Sequence, residues 1–164
     1  MQTKHIVHVY GHSVNTDVIF AGKYTYSVRD TAQIAAHALE DLDPDFVGRV
    51  QEGDVIVAGR NWGIGSSREQ AVTCLKYNGI KAIIAESFSG LYFRNCINQG
   101  VRPIVCAGVW ALVQTGDTVV LDHAENALIV GGQYFALPRL SPSVQAILDS
   151  GGIIPMLKAR FATQ

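Results

Sequence analysis

The sequence predicts an α/β fold built on a βαβ core, and three observations carry that prediction. Between residues 54 and 106, short apolar runs alternate with helical patterns in the order strand, helix, strand, helix, strand. Parallel strands joined by crossover helices produce this order. After residue 115 three closely spaced apolar runs follow, and Gly131-Gly132 between the last two is a hairpin signal. Apolar residues make up 48% of the chain and charged residues 16%, a composition that forms a packed core and excludes a disordered segment. The expected sheet is parallel or mixed, with additional antiparallel strands.

Taken in order, residues 4–10 alternate with period two and read as a strand. Residues 31–41 place Ile34, Ala35, Ala38 and Leu39 on one helical face. The run 54–59 ends in glycine and reads as a buried strand. Residues 67–77 carry Ala71, Cys74 and Leu75 at helical spacing, with Gly79 as a stop. Strands follow at 81–85 and 103–106, with a helix at 90–99 between them. Residues 117–122, 127–130 and 133–137 are the three later strands. A final helix fits 141–150, with Ser141 as its cap and Pro142 in its first turn.

The 164 residues and 17.7 kDa suit one domain spanning 1–164. The formal net charge of −1 gives no whole-domain positive field for nucleic acid. No apolar run approaches the roughly 20 residues of a membrane span, and the start Met1-Gln2-Thr3-Lys4-His5 lacks a signal-peptide core. The expected location is the cytoplasm. Cys74, Cys96 and Cys106 are odd in number and contain no CxxC, so they predict buried thiols rather than a disulfide framework or a four-thiolate site. His5 and His8 fall on opposite faces of the first strand, and no metal site is expected.

The chemistry concentrates in Gly59-Arg60-Asn61-Trp62-Gly63-Ile64-Gly65-Ser66-Ser67-Arg68-Glu69-Gln70-Ala71, between a buried strand and a helix. Gly63 and Gly65 permit a tight turn. Ser66 with Glu69 three residues later has the form of a capping box, which makes Ser66 the expected helix N-cap. Helix starts carry free N–H groups and partial positive charge, and Arg68 adds a planar fork suited to carboxylate or phosphate. The result is an anion-binding corner with a hydroxyl at its centre. The same features also describe a plain capped helix after a glycine turn. A phosphate loop would need a lysine that Gly65-Ser66-Ser67 lacks, Arg68 stands at the third glycine of a dinucleotide fingerprint, and no GxSxG occurs.

This segment resembles the GxNxGxGSSRE signature of the aconitase superfamily swivel domain. Three more segments match in order: Val14-Asn15-Thr16-Asp17-Val18-Ile19, Ala21-Gly22-Lys23-Tyr24, and Ser87 to Asn95 continued by Ile97-Asn98-Gln99-Gly100. The resemblance spans residues 5–106 and implies a swivelling β/β/α domain in the form of a free-standing small subunit. Members of the superfamily remove water from a hydroxy-di- or tricarboxylate and add it back at the neighbouring carbon. They use a [4Fe–4S] cluster, here expected on a separate large subunit, with no cofactor bound by this chain.

By carry-over from the family, Ser66 is the catalytic base and Asp17 a second catalytic residue. Ser67, Arg68, Thr16 and Tyr26 are the expected substrate-binding residues, with Arg68 making paired hydrogen bonds to a carboxylate. The backbone N–H groups of Gly63 and Gly65 would face the hydroxyl. A serine is a very weak base, so the site must stabilise an alkoxide with directed donors and a nearby cation, as an oxyanion hole does. Specificity in the family rests on the loop 24–30. Tyr26 stands where relatives acting on tricarboxylates carry arginine, which suits an apolar substrate branch such as an isopropyl group. Ile64, Gln70 and Ser89-Gly90 depart from the common pattern, and Arg94 and Asn95 are expected to hold their helix in place. Two other readings remain at this point: a hydro-lyase acting on another hydroxy acid, and a non-catalytic anion-binding module.

Overall fold

The first strand, β1 (Gln2–Tyr10), joins two halves of one seven-stranded sheet. A computed structural model describes residues 1–163; Gln164, the last residue of the expected span, lies outside the described residues. On one side of β1 lie β2 (Val55–Ala58), β3 (Ala82–Ala85) and β4 (Arg102–Val105), all parallel. On the other side lie β5 (Thr118–Asp122), β6 (Ala127–Val130) and β7 (Gln133–Ala136), all antiparallel. The order β4-β3-β2-β1-β5-β6-β7 is the mixed α/β sheet that the alternation of runs predicts.

The segments joining the parallel strands hold α1 (Thr16–Ile19), α2 (Thr31–Ala36), α3 (Phe46–Arg49), α4 (Gln70–Lys76) and α5 (Gly90–Gln99). The chain ends in α6 (Pro142–Asp149) and α7 (Ile153–Ala162). Strands β2 and β3 are apolar at every position because both faces of the sheet are covered. Ile56, Ala58, Ile83 and Ala85 pack with Phe20, Leu39, Phe46, Val72 and Leu75 from the helical side. Val55, Val57, Ala82 and Ile84 pack with Val119, Leu121 and Leu128 of the antiparallel strands, which curl back over them. Each Val, Leu, Ile or Phe side chain buried in this way contributes about 1.5–3 kcal/mol by leaving water.

The departures from expectation have local causes. The helix expected over 31–41 ends at Ala36, and Leu39, at φ +56°, turns its N–H to the carbonyl of Ile19. The helix expected from residue 67 starts only at Gln70. Helices α1 and α3 are single turns too short to show a period. Helix α7 follows Gly151-Gly152, both at positive φ. A side chain at Gly100, beyond α5, would strike the Gly151 backbone. No described helix is long and apolar enough to cross a membrane.

Candidate active site

The loops leaving the carboxyl ends of β1, β2 and β3 meet above the sheet, where open α/β sheets place their ligands. The first two continue the parallel pairing past their strands. Ser13 donates to the Arg60 carbonyl at 2.7 Å, Gly63 to Val14 at 2.8 Å, and Thr16 to Ile64 at 2.8 Å. The third joins through Trp62, whose N–H donates to Ser87 and whose carbonyl accepts from Ser89. Trp62 itself is buried between Tyr10 and Tyr92 and is core rather than pocket wall.

Gly63 has φ +80°, and a side chain there would collide with the Tyr92 ring. Its N–H is committed to Val14 and does not face Ser66, contrary to the sequence expectation. Gly65 has φ +103°, and a Cβ there would sit 3.1 Å from the Thr16 hydroxyl oxygen. These two glycines let the loop pass a ring and a hydroxyl at close range.

Ser66 is exposed, in irregular chain four residues before α4. It caps no helix, and the Ser66–Glu69 capping box does not form: the Glu69 carboxylate instead accepts from Gln99. The chain turns through Gly65 at φ +103° just after the Thr16–Ile64 hydrogen bond and takes up helical geometry only at Glu69. The helix terminus therefore contributes less at Ser66 than expected, because its field falls off within the first turn.

The cation lies closer. Arg68 Nε donates to Ser66 Oγ at 3.1 Å, Nη1 to Thr25 Oγ1 at 2.9 Å, and Nη2 to both Asp17 Oδ1 at 2.6 Å and the Phe20 carbonyl at 2.8 Å. Four of the five guanidinium N–H donors are thus engaged inside the chain. A paired contact with a substrate carboxylate, as expected from the sequence, requires one of these ties to open. The Arg68 side chain is mostly buried, whereas the Asp17 carboxylate is exposed.

Thr16 is buried, with its hydroxyl 3.3 Å from Ser66 Oγ. Ser67 is exposed, and its carbonyl accepts from Asn95 Nδ2 at 3.2 Å. Arg94 points outward from α5. Tyr26 is 85% exposed on the loop beside this cluster. The structure therefore brings Ser66, Arg68, Asp17 and Thr16 into direct contact. Ser67 adjoins Ser66 in the chain, and Tyr26 stands on the open loop.

Several residues at this site have contacts that the sequence reading does not assign to them. Thr25 accepts from Arg68, and Gln70 Nε2 holds the same loop by donating to the Thr25 carbonyl at 3.0 Å. Behind the loop, Tyr24 stacks on His37 with ring centroids 3.8 Å apart. The Tyr24 hydroxyl donates to Glu40 Oε1 at 2.7 Å, and His37 Nδ1 lies 2.7 Å from Glu40 Oε2. The His37 hydrogen bond leads in holding the Glu40 carboxyl below its ordinary value, with Tyr24 adding to it against a modest burial cost. Only the His37–Glu40 spacing of three, on a helical pattern, could have hinted at this brace.

The three cysteines are buried and free, and burial pushes their thiols upward. They sit on α4, on α5 and after β4, and among the described residues no group of three or more His, Cys, Asp or Glu converges on a point. The described residues do not fit an iron–sulfur cluster. The histidines are engaged separately, His5 with the Gly53 carbonyl, His8 with Asp54 and His12 with the Arg60 N–H.

The sequence profile described as the aconitase C-terminal domain matches residues 2–108. The 3-isopropylmalate dehydratase small subunit of Helicobacter hepaticus is 38% identical over 164 residues, covering 99% of both chains. The methanogen homoaconitase small subunit of Methanocaldococcus jannaschii is 39% identical, covering 96% of this chain and 92% of that one. A crystal structure of 3-isopropylmalate dehydratase from Methanocaldococcus jannaschii superposes with a TM-score of 0.91 at 38% identity, over 100% of this chain and 98% of that one. The chain belongs to the aconitase C-terminal domain family, among its dehydratase, or hydro-lyase, small subunits.

Proposed function

We propose that this chain is the small subunit of a 3-isopropylmalate dehydratase, acting in leucine biosynthesis with a cluster-bearing large subunit. The observation that carries the reading is Ser66 Oγ, open on one side and held on the other by Arg68 Nε and the Thr16 hydroxyl. In the forward dehydration Ser66, ionised to the alkoxide by loss of its own proton to solvent, takes the proton from the carbon beside the hydroxyl-bearing carbon. That C–H pair becomes the new double bond as the hydroxyl departs from its neighbour. Rehydration returns a proton from Ser66 and places the hydroxyl on the other carbon. Arg68 stabilises the alkoxide charge on Oγ before proton transfer, because its cation is held in place before reaction begins. Ser66 and Ser67 are exposed, and their backbone N–H groups, with the remaining Arg68 Nη1 proton, receive a substrate carboxylate. A [4Fe–4S] cluster on the large subunit would hold the substrate hydroxyl and one carboxylate and act as the Lewis acid for the departing hydroxyl.

The choice of 3-isopropylmalate over a tricarboxylate rests on Tyr26, which offers an aromatic face and no charge beside the site. The homoaconitase relative at 39% identity keeps a tricarboxylate reading open to test. Anaerobic reconstitution with a cluster-bearing large subunit, assayed on isopropylmalate, homoaconitate, citramalate and dimethylmalate, separates these substrates. Isopropylmalate is expected to turn over fastest. Ser66→Ala is expected to reduce kcat by about 10³-fold or more while assembly persists. A near-normal kcat in Ser66→Ala overturns the assignment of the base.

A further inference from the structure

The family resemblance assigns Thr16 to substrate binding, yet Thr16 is 1% exposed and lies beneath Ser66 rather than beside the open face. Its hydroxyl has one side-chain partner among the described residues, Ser66 Oγ at 3.3 Å. Arg68 Nε can only donate, so Ser66 Oγ already accepts one hydrogen bond at 3.1 Å. Were Ser66 to donate to Thr16, the Thr16 proton would be buried with no acceptor, an arrangement that folded proteins avoid. With Thr16 donating, its hydroxyl is satisfied and the Ser66 proton is free to face the open side.

We infer that Thr16 is a positioning residue for the base: its hydroxyl gives Ser66 Oγ a second hydrogen bond, stabilises the alkoxide together with Arg68, and does not touch substrate. This rests on the reading of Ser66 as the base. Two features of the loop hold the pair together. The Thr16 N–H donates to the Ile64 carbonyl at 2.8 Å, so its backbone cannot drift from the Ser66 loop. Gly65 leaves room for the hydroxyl, since a Cβ there would press on the Thr16 oxygen at 3.1 Å.

The test compares wild type, Thr16→Val and Thr16→Ser, each reconstituted with the large subunit. The Val variant keeps the shape and removes the donor. It is expected to lower kcat by about 10²-fold, the effect of deleting one preorganised donor to an oxyanion, with KM within about twofold. Its kcat should keep climbing with pH beyond the point where wild type levels off, because the unassisted alkoxide forms at higher pH. Thr16→Ser should restore both rate and profile. A raised KM with unchanged kcat would place Thr16 on the substrate and overturn the inference, as would a wild-type rate and profile in the Val variant. If melting curves show the Val variant unfolded, Thr16→Ala against Thr16→Ser gives the same comparison. Neutron diffraction of the full chain alone decides independently of turnover: deuterium bonded to Thr16 Oγ1 and facing Ser66 supports the inference, and deuterium on Ser66 facing Thr16 overturns it. Should the wild-type complex turn over no hydroxy acid while that deuterium is found on Thr16, the functional reading fails and the hydrogen bond stands.

Discussion

The Asp17 carboxylate lies 2.6 Å from Nη2 of Arg68, closing an ion pair between residues 51 positions apart in the chain. Through it the loop after β1 determines where the guanidinium points, and so which nitrogen faces Ser66. The partly buried Arg68 cannot swing freely, because Thr25 and the Phe20 carbonyl hold its other edges.

Asp17→Asn should therefore affect catalysis more than folding. Asp17 is well exposed, so the pair contributes less than about 1 kcal/mol to stability, and the melting temperature should fall by no more than a few degrees. Turnover of the reconstituted complex should fall by about tenfold or more as the guanidinium loses its orientation. Urea unfolding and steady-state kinetics on one preparation check both halves.

Gly63→Ala tests the close approach to Tyr92. The new methyl would meet the ring and the backbone would be held at φ +80°. A destabilisation of about 3 kcal/mol or more is expected from overpacking and strain together. Gly131→Ala, at φ +55° with nothing within 4 Å, should cost only about 1 kcal/mol. Equal losses in urea melts would contradict the ring contact.

Glu40→Gln probes the brace behind the specificity loop. The folded carboxyl of Glu40 titrates below its ordinary value because His37 and Tyr24 bond its ionised form. Stability from this source is complete above the ordinary glutamate value, about 4.3, and is lost as pH falls through the lower folded value. Wild type should thus be more stable than the variant near neutrality, and the gap should narrow below about pH 4. Thermal melts of both proteins from pH 3 to 7 measure the gap.

Tyr26→Arg should redirect specificity without disturbing the fold, since Tyr26 is almost fully exposed. Relative kcat/KM is expected to move toward tricarboxylates. An unchanged ratio, with the melting temperature intact, would show that the loop 24–30 does not choose the substrate.

The strands and the long helix α5 are legible because each carries its own local signal, an apolar run or a period. The run 90–99 reads as helix and is helix, and 127–130 reads as strand and is strand. Ser66 and Glu69 have the spacing of a capping box, which points to an earlier start for α4, but the chain is irregular between the Thr16–Ile64 hydrogen bond and Glu69, where helical geometry begins. Local spacing cannot register a hydrogen bond made to a segment some fifty residues away.

By itself the sequence determined the alternation of elements, the glycine turn after β2 and the presence of a serine and an arginine within it, since all of these are local properties of residue type and period. Tertiary structure alone decided that Thr16 lies beneath Ser66, that Arg68 is tied to Asp17, Thr25 and Phe20, and that Gly63 serves a ring rather than an anion. Those outcomes depend on which loops the parallel pairing of β1, β2 and β3 brings to one end of the sheet, and only the folded register settles that.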